Sequence, residues 1–188
     1  MSQCDSTPEM RTWQKRLSES LPWQSPRLLL SLATVDDAHF LYGMFTRKEG
    51  REFLGGPLVT SLERIRQSIV FGEGWMDSCY IAMEVHTNVA IGYAGILENA
   101  RIGSEENDFL VAVSPEYEGQ HYGREILSTV RDNWLRCSNR THCTASANHL
   151  NPSSIAILSN CGFVQIGEYS DHLGELRYTY RYDKEAAT

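Results

Sequence analysis

The segment Asp108-Phe-Leu-Val-Ala-Val-Ser-Pro-Glu-Tyr-Glu-Gly-Gln-His-Tyr-Gly123-Arg-Glu-Ile-Leu holds the pattern best suited to chemistry in this chain. An apolar run enters a loop with two glycines, Gly119 and Gly123, and that loop opens an amphipathic helix. The first N–H groups of a helix lack internal partners, the helix dipole favours negative charge, and glycine lets a phosphate approach the backbone. The segment is therefore a candidate anion site, with Arg124 adding a positive charge in the first helical turn. It is neither a Walker loop, which needs Gly-Lys-Ser/Thr, nor a Gly-x-Gly-x-x-Gly fingerprint. A second segment, Asn151-Pro152-Ser153-Ser154-Ile-Ala-Ile-Leu-Ser-Asn-Cys-Gly162-Phe163, places Asn151 and Ser154 at a helix start. Both residue types also cap helices routinely.

These residues need elements to hold them. Pro8, tolerated at a first helical position, precedes an accessory helix in which Met10, Trp13 and Leu17 share one face. Pro22 and Pro26 bracket a linker, Arg27 to Leu32 reads as a strand, and Val35 to Phe45 as a helix with Ala38, Leu41, Tyr42 and Phe45 inward. Thr60 with Glu63 forms a capping box for a second helix that Gly72 ends. Cys79 to Val85, Val89 to Leu97 and Asp108 to Val113 read as strands, the first two joined as a hairpin around Thr87-Asn88. A helix follows from Gly123 to about Cys137, turning Ile126, Leu127, Val130, Trp134 and Leu135 inward. His142 to Ala147 reads as a strand, Pro152 to Asn160 as a helix, and Val164 to Tyr169 and Glu175 to Tyr182 as the final strands. Hairpins first and strand-helix-strand later give a mixed α/β sheet with helices on both faces.

The whole chain sets limits on function. At 188 residues it holds one domain with a real core. Seventeen Lys and Arg against 24 Asp and Glu leave a formal charge of −7, which argues against nucleic-acid binding and mildly favours a cationic partner. No apolar stretch is long enough to span a bilayer, and the N-terminal residues lack the apolar centre of a secretory signal. The five cysteines are scattered without a Cys-x-x-Cys pair, which argues against a disulfide scaffold or a structural zinc site and for a cytoplasmic protein.

Together the two segments resemble the GNAT acetyltransferase superfamily, most closely its ribosomal-protein N-acetyltransferase-like (RimJ/RimL-like) branch. The likeness runs from about Pro26 to Arg181 and includes Pro26-Arg27-Leu28-Leu29-Leu30, Val35-Asp36-Asp37-Ala38, Phe53-Leu54-Gly55-Gly56-Pro57 and Ile91-Gly92-Tyr93. It implies the GNAT fold, a mixed and mostly antiparallel central sheet flanked by helices on both faces. Residues 26–188 would form that domain and residues 1–25 a helical extension. It also implies acetyl-CoA as the donor, an amine as the acceptor, no metal, and a possible homodimer. The family's pyrophosphate loop, Gln/Arg-x-x-Gly-x-Gly/Ala, falls on Glu118-Gly119-Gln120-His121-Tyr122-Gly123, followed by Arg124. Glu118 and His121 depart from it; a positive φ at His121 would cost about 1 kcal/mol, unless its imidazole bonds a phosphate. The pantetheine arm would pair with the backbone of Val111 and Val113, Asn151 would bond that arm, and Ser154 would lie near the sulfur. Asp108 is the implied general base, acting through water, while the family's acidic tyrosine position holds Leu158.

Other residues carry weaker signals. His39 reads as a surface residue, His142 and Cys143 face opposite sides of a strand, and Cys161 reads as core. Trp75, Tyr93, Glu98, His172 and the Gly55-Gly56-Pro57 loop are candidates for the acceptor side. The expected function is acetyl transfer to a protein N-terminus, an aminoglycoside, a polyamine or an amino acid. The alternative is a non-catalytic acyl-CoA-binding or regulatory module, for which His121, Glu118 and Leu158 argue.

Overall fold

The computed structural model describes residues 12–47, 53, 61–72, 78–98 and 107–184, without side chains for residues 12–14 and Glu98. Met10, Thr60, Trp75 and the Gly55-Gly56-Pro57 loop lie outside the described residues. The order is α1 (Thr12–Glu19), β1 (Trp23–Gln24), β2 (Leu28–Leu32), α2 (Ala38–Thr46), α3 (Leu62–Phe71), β3 (Cys79–Glu84), β4 (Ala90–Glu98), β5 (Asn107–Val113), α4 (Tyr122–Ser138), β6 (His142–Asn148), α5 (Pro152–Asn160), β7 (Val164–Ser170) and β8 (Leu176–Asp183). Short 3₁₀ turns at Val35–Asp37 and Pro115–Tyr117 precede α2 and α4.

Among the described residues, eight strands form one sheet in the order β1-β2-β3-β4-β5-β6-β8-β7. All neighbours are antiparallel except β5 and β6, which the crossover helix α4 joins in parallel. Helices cover both faces. On one, Leu17 of α1, Ile126, Val130 and Trp134 of α4 and Leu158 of α5 pack with Leu28, Leu30, Ile96, Phe109, Cys143 and Tyr180 of the sheet. On the other, Leu41 and Phe45 of α2 and Ile65 of α3 meet Ile81 and Tyr93. Burial on two faces explains why β3 is nearly all apolar rather than alternating. Each large side chain so buried contributes about 1.5–3 kcal/mol.

Local signals set the helix ends. The αL glycine expected at Gly72 ends α3 at φ 61°. Its cap is Ser61, whose side chain accepts from the Arg64 N–H at 3.1 Å, so α3 starts one residue later than Thr60 would have it. After α5, Phe163 N–H bonds Leu158 O at 3.1 Å and Gly162 N–H bonds Ser159 O at 3.1 Å, a Schellman stop with both apolar partners buried. Residues 22–26 hold a short strand rather than a plain linker: Trp23 pairs with Leu30 and is buried against Tyr80, ring centroids 4.6 Å apart. In α2, Met44 is buried while Tyr42 is only half-buried.

Candidate functional site

The site is built where β5 and β6 part. Their ladder has a single registered pair, Asp108 with Thr144, at the start of β5. Beyond it β5 continues along β4 to Val113 with no further registered pair to β6. Three contacts show where the backbone of β5 points. Ser114 N–H donates to Ile91 O of β4 at 2.8 Å, and a Cβ on Gly92 would meet Ala112 O at 2.6 Å, so these even-numbered residues face β4. Asn107 O instead accepts from Thr144 Oγ1 of β6 at 2.9 Å. Backbone polar groups alternate along a strand, so Phe109, Val111 and Val113 turn N–H and C=O into the gap. A free strand edge of this kind accepts an extended ligand as an added strand.

The gap leads to the N-terminus of α4. Glu118, Gly119, Gln120 and His121 are exposed there, with φ 72° at Gly119 and 67° at His121. The first intrahelical bond is Glu125 N–H to His121 O at 3.2 Å, and His121 makes no side-chain cap. The preceding N–H groups of Tyr122, Gly123 and Arg124 thus form the uncapped positive end of a 17-residue helix. Tyr122 and Gly123 are buried, whereas the Arg124 side chain is exposed. A Cβ at Gly123 would lie 2.7 Å from Ile157 Cδ1, so glycine here also lets α5 pack close to the loop.

One residue that fixes this loop escaped the sequence reading. Arg27 donates through Nε to Glu125 Oε2 at 2.7 Å and through Nη1 to Gln120 O at 3.1 Å, and its guanidinium lies 4.0 Å from the centre of the Tyr122 ring. Ser25 Oγ and Arg27 N–H both donate to Glu125 Oε1, at 2.6 and 2.9 Å. Burial works against the Glu125 charge, but the bonds from Ser25 and Arg27 outweigh it and hold the carboxyl below its usual range. Arg27 was legible only as part of a family-like stretch; its partner lies 98 residues away.

Asp108 sits at the closed end of the gap, three residues before Val111. Its Oδ2 accepts from Ser146 Oγ at 2.8 Å, while Oδ1 is buried with no hydrogen-bond partner among the described residues. Burial pushes the carboxyl above the usual range, against the hydrogen bonds of Ser146 and the nearby Arg177 guanidinium. Asn151 caps α5, its Oδ1 accepting from Ser154 N–H at 3.0 Å, and Ser154 is half-buried. Leu158 is core. Tyr93 is fully buried, with its ring edge-on to Phe45 at 5.3 Å. His39 and His172 are exposed, and no group of three or more His, Cys, Asp or Glu among the described residues could hold a metal ion.

Sequence comparison decides the family. Residues 27–164 match the family described as Acetyltransferase (GNAT) domain, which is well over half of the chain. The chain belongs to the GNAT acetyltransferase family. The GNAT fold recurs in a GNAT-family acetyltransferase from Bacillus anthracis, at TM-score 0.74 and 14% identity, covering 87% of this chain and 99% of that one. It recurs in spermidine N-acetyltransferase from Vibrio cholerae in complex with CoA and spermine, at TM-score 0.71 and 14% identity, covering 85% and 97%. A third is ribosomal-protein-S5-alanine acetyltransferase from Vibrio fischeri, at TM-score 0.69 and 15% identity, covering 90% and 100%. Among curated proteins none matches this GNAT chain in sequence. No helix among its described residues is long and apolar enough to cross a membrane.

Proposed function

We propose that this GNAT protein moves an acetyl group from acetyl-CoA to a primary amine, a protein N-terminus or a small-molecule amine, by direct attack. The observation that carries the reading is the free edge of β5 opening onto the uncapped start of α4. An extended thioester arm and a pyrophosphate need those two features side by side. Bound acetyl-CoA would supply an activated acetyl thioester. Val111 and Val113 would pair with the pantetheine amides, and the Val111 N–H would donate to the thioester carbonyl. The N–H groups of Tyr122, Gly123 and Arg124, with the backbone of Gly119 to His121, would hold the phosphates, Glu118 pointing away. Asn151 would bond the arm, Ser154 would donate to the departing thiolate, and Asp108 would take the amine proton.

In the same reading residues 26–188 are the acetyltransferase domain of the RimJ/RimL-like branch, extended by residues 1–25. The protein is cytoplasmic, in keeping with the free, buried Cys79, Cys137, Cys143 and Cys161. A homodimer is in keeping with the exposed Val164 and Ile166 on edge strand β7. The test is acetyl-CoA with a panel of amines, read as acetylated product by mass. A thiol dye for free CoA needs an enzyme-only control, because the protein has thiols of its own. Leu158 in place of an acidic tyrosine favours a second reading, a binding or regulatory module. Acetyl-CoA binding without acceptor-dependent CoA release would establish that one.

A further inference from the structure

Asp108 poses a geometric problem for the base that the proposed reaction needs. Along a strand three residues span about 10 Å, so its carboxylate stands well away from the backbone of Val111 that would face the reacting carbonyl. Its Oδ2 is engaged by Ser146. The hydrogen bonds continue outward, however. Ser146 Oγ itself accepts from Tyr169 OH at 3.3 Å, and Tyr169 is half-buried on β7. Side-chain alternation puts Asp108 on the face of Leu110 and Ala112, which pack with α2 and α3. The registers Ser146 with Thr179 and Tyr169 with Arg177 put the other members on that face too. The chain thus runs from a buried carboxylate under β5, across β6, to a phenol at the partly open side of the sheet.

We propose that Tyr169 and Ser146 form with Asp108 a proton relay that draws the proton from the acceptor ammonium into the buried carboxylate. The inference rests on the acetyltransferase reading and names the residues through which its base takes the proton. In the step, one N–H bond of the ammonium breaks and its proton goes to Tyr169 Oη. The phenol proton passes to Ser146 Oγ and the Ser146 proton to Asp108 Oδ2. An ammonium and a carboxylate become a neutral amine and a carboxylic acid, and the amine's lone pair is free to attack. The same chain in reverse returns the proton to water after acetyl transfer. Catalytic hydrogen bonds are often long before substrate binds, which suits the 3.3 Å outer link.

Arg177 keeps this machinery in place. Its Nε donates to Asp171 Oδ2 at 2.8 Å in a pair almost closed to solvent, and its Nη2 donates to Phe53 O at 3.1 Å. The guanidinium therefore ties Phe53 to β8 beside Asp108. Among the described residues, Arg177 from β8 and Tyr169 from β7 are the charged and titratable groups facing Asp108 and Ser146.

The test compares Tyr169→Phe and Ser146→Ala with the wild type in three measurements. Acetyl-CoA binding, by the rise in melting temperature, is expected to be the same in all three; no binding by the wild type overturns the acetyltransferase reading and the turnover comparison with it, and leaves the Asp108 titration to test the hydrogen-bond chain. The Asp108 carboxyl, followed by ¹³C NMR against pH, is expected to titrate higher in Ser146→Ala, which loses the donor to Oδ2, and by less in Tyr169→Phe, where the Ser146 hydroxyl is no longer polarised by the phenol that donates to it. Turnover with spermidine or with an alanine-starting peptide at neutral pH is expected to fall by about tenfold or more in each variant, with the deficit closing as pH approaches the amine's own pKa. An Asp108 titration unmoved by Tyr169→Phe overturns the relay even if neither probe is acetylated. A turnover within about twofold of wild type, or a deficit constant across pH, overturns it as well and reduces the chain to a structural tie.

Discussion

Replacing His121 by glycine and by alanine separates two effects at the start of α4. His121 holds φ 67° and ψ 11°, the left-handed region, at the position preceding α4. An L side chain there costs roughly 1–2 kcal/mol through contact of Cβ with the following carbonyl. Glycine escapes that cost but adds about 0.5–1 kcal/mol of chain entropy to the unfolded state. Alanine keeps the Cβ and loses the imidazole. His121→Gly is therefore expected to be more stable than His121→Ala by about 0.5–1 kcal/mol, which for a chain of this size is roughly 1–4 °C in melting temperature. Thermal melts of the three proteins without ligand read this directly, and His121→Gly melting at or below His121→Ala refutes the strain. Titration with acetyl-CoA reads the other effect. If the exposed imidazole only crowds the loop, His121→Gly binds as tightly as wild type or tighter. A tenfold or greater loss in both variants would show the ring bonding a phosphate oxygen and would refute the crowding.

Three further outcomes follow from the geometry. Asp108→Asn removes a charge that burial disfavours, so it is expected to melt at or above wild type while lowering kcat; with Ser154→Ala it tests the assigned site, and full turnover in both refutes it. Gly92→Ala would set a Cβ 2.6 Å from Ala112 O and 3.0 Å from Ile126 Cδ1 in the sheet centre, for an expected loss of about 1–3 kcal/mol by urea unfolding; an unchanged midpoint refutes the crowding. Asp171 is held down to about 2, first by the hydrogen bond from Arg177, so its stabilisation is complete above its ordinary value of 3.8 and is lost as pH falls through about 2. Urea midpoints between pH 4.5 and 2 are therefore expected to fall more steeply for wild type than for Asp171→Asn, and parallel profiles refute the assignment.

The sheet and most helices were legible because their signals are local. The apolar run of Leu28 to Leu32, the inward stripe of α4 and the stops at Gly72 and Gly162 each sit within a few residues of what they control. The positive φ at His121 was legible too, from its place in a glycine pattern. The two-residue β1 was not, because a strand that short has no period to read. Nor was Tyr169, which is chemically notable only because folding brings its hydroxyl to Ser146. The parting of β5 from β6 is likewise invisible in either strand alone, since the mostly apolar β5 and the alternating β6 each read as ordinary strands and only their pairing shows where it stops.

The clasp of Arg27 on Glu125 and Gln120 O also has a thermodynamic side. It makes the loop before α4 and the β1–β2 edge one mechanical unit, although 93 and 98 residues separate Arg27 from its two partners. Ligand that binds the ordered loop and not the frayed one must stabilise both, in proportion to its saturation. If the loop holds acetyl-CoA as proposed, amide exchange at Trp23 to Leu30 is expected to slow as acetyl-CoA is added.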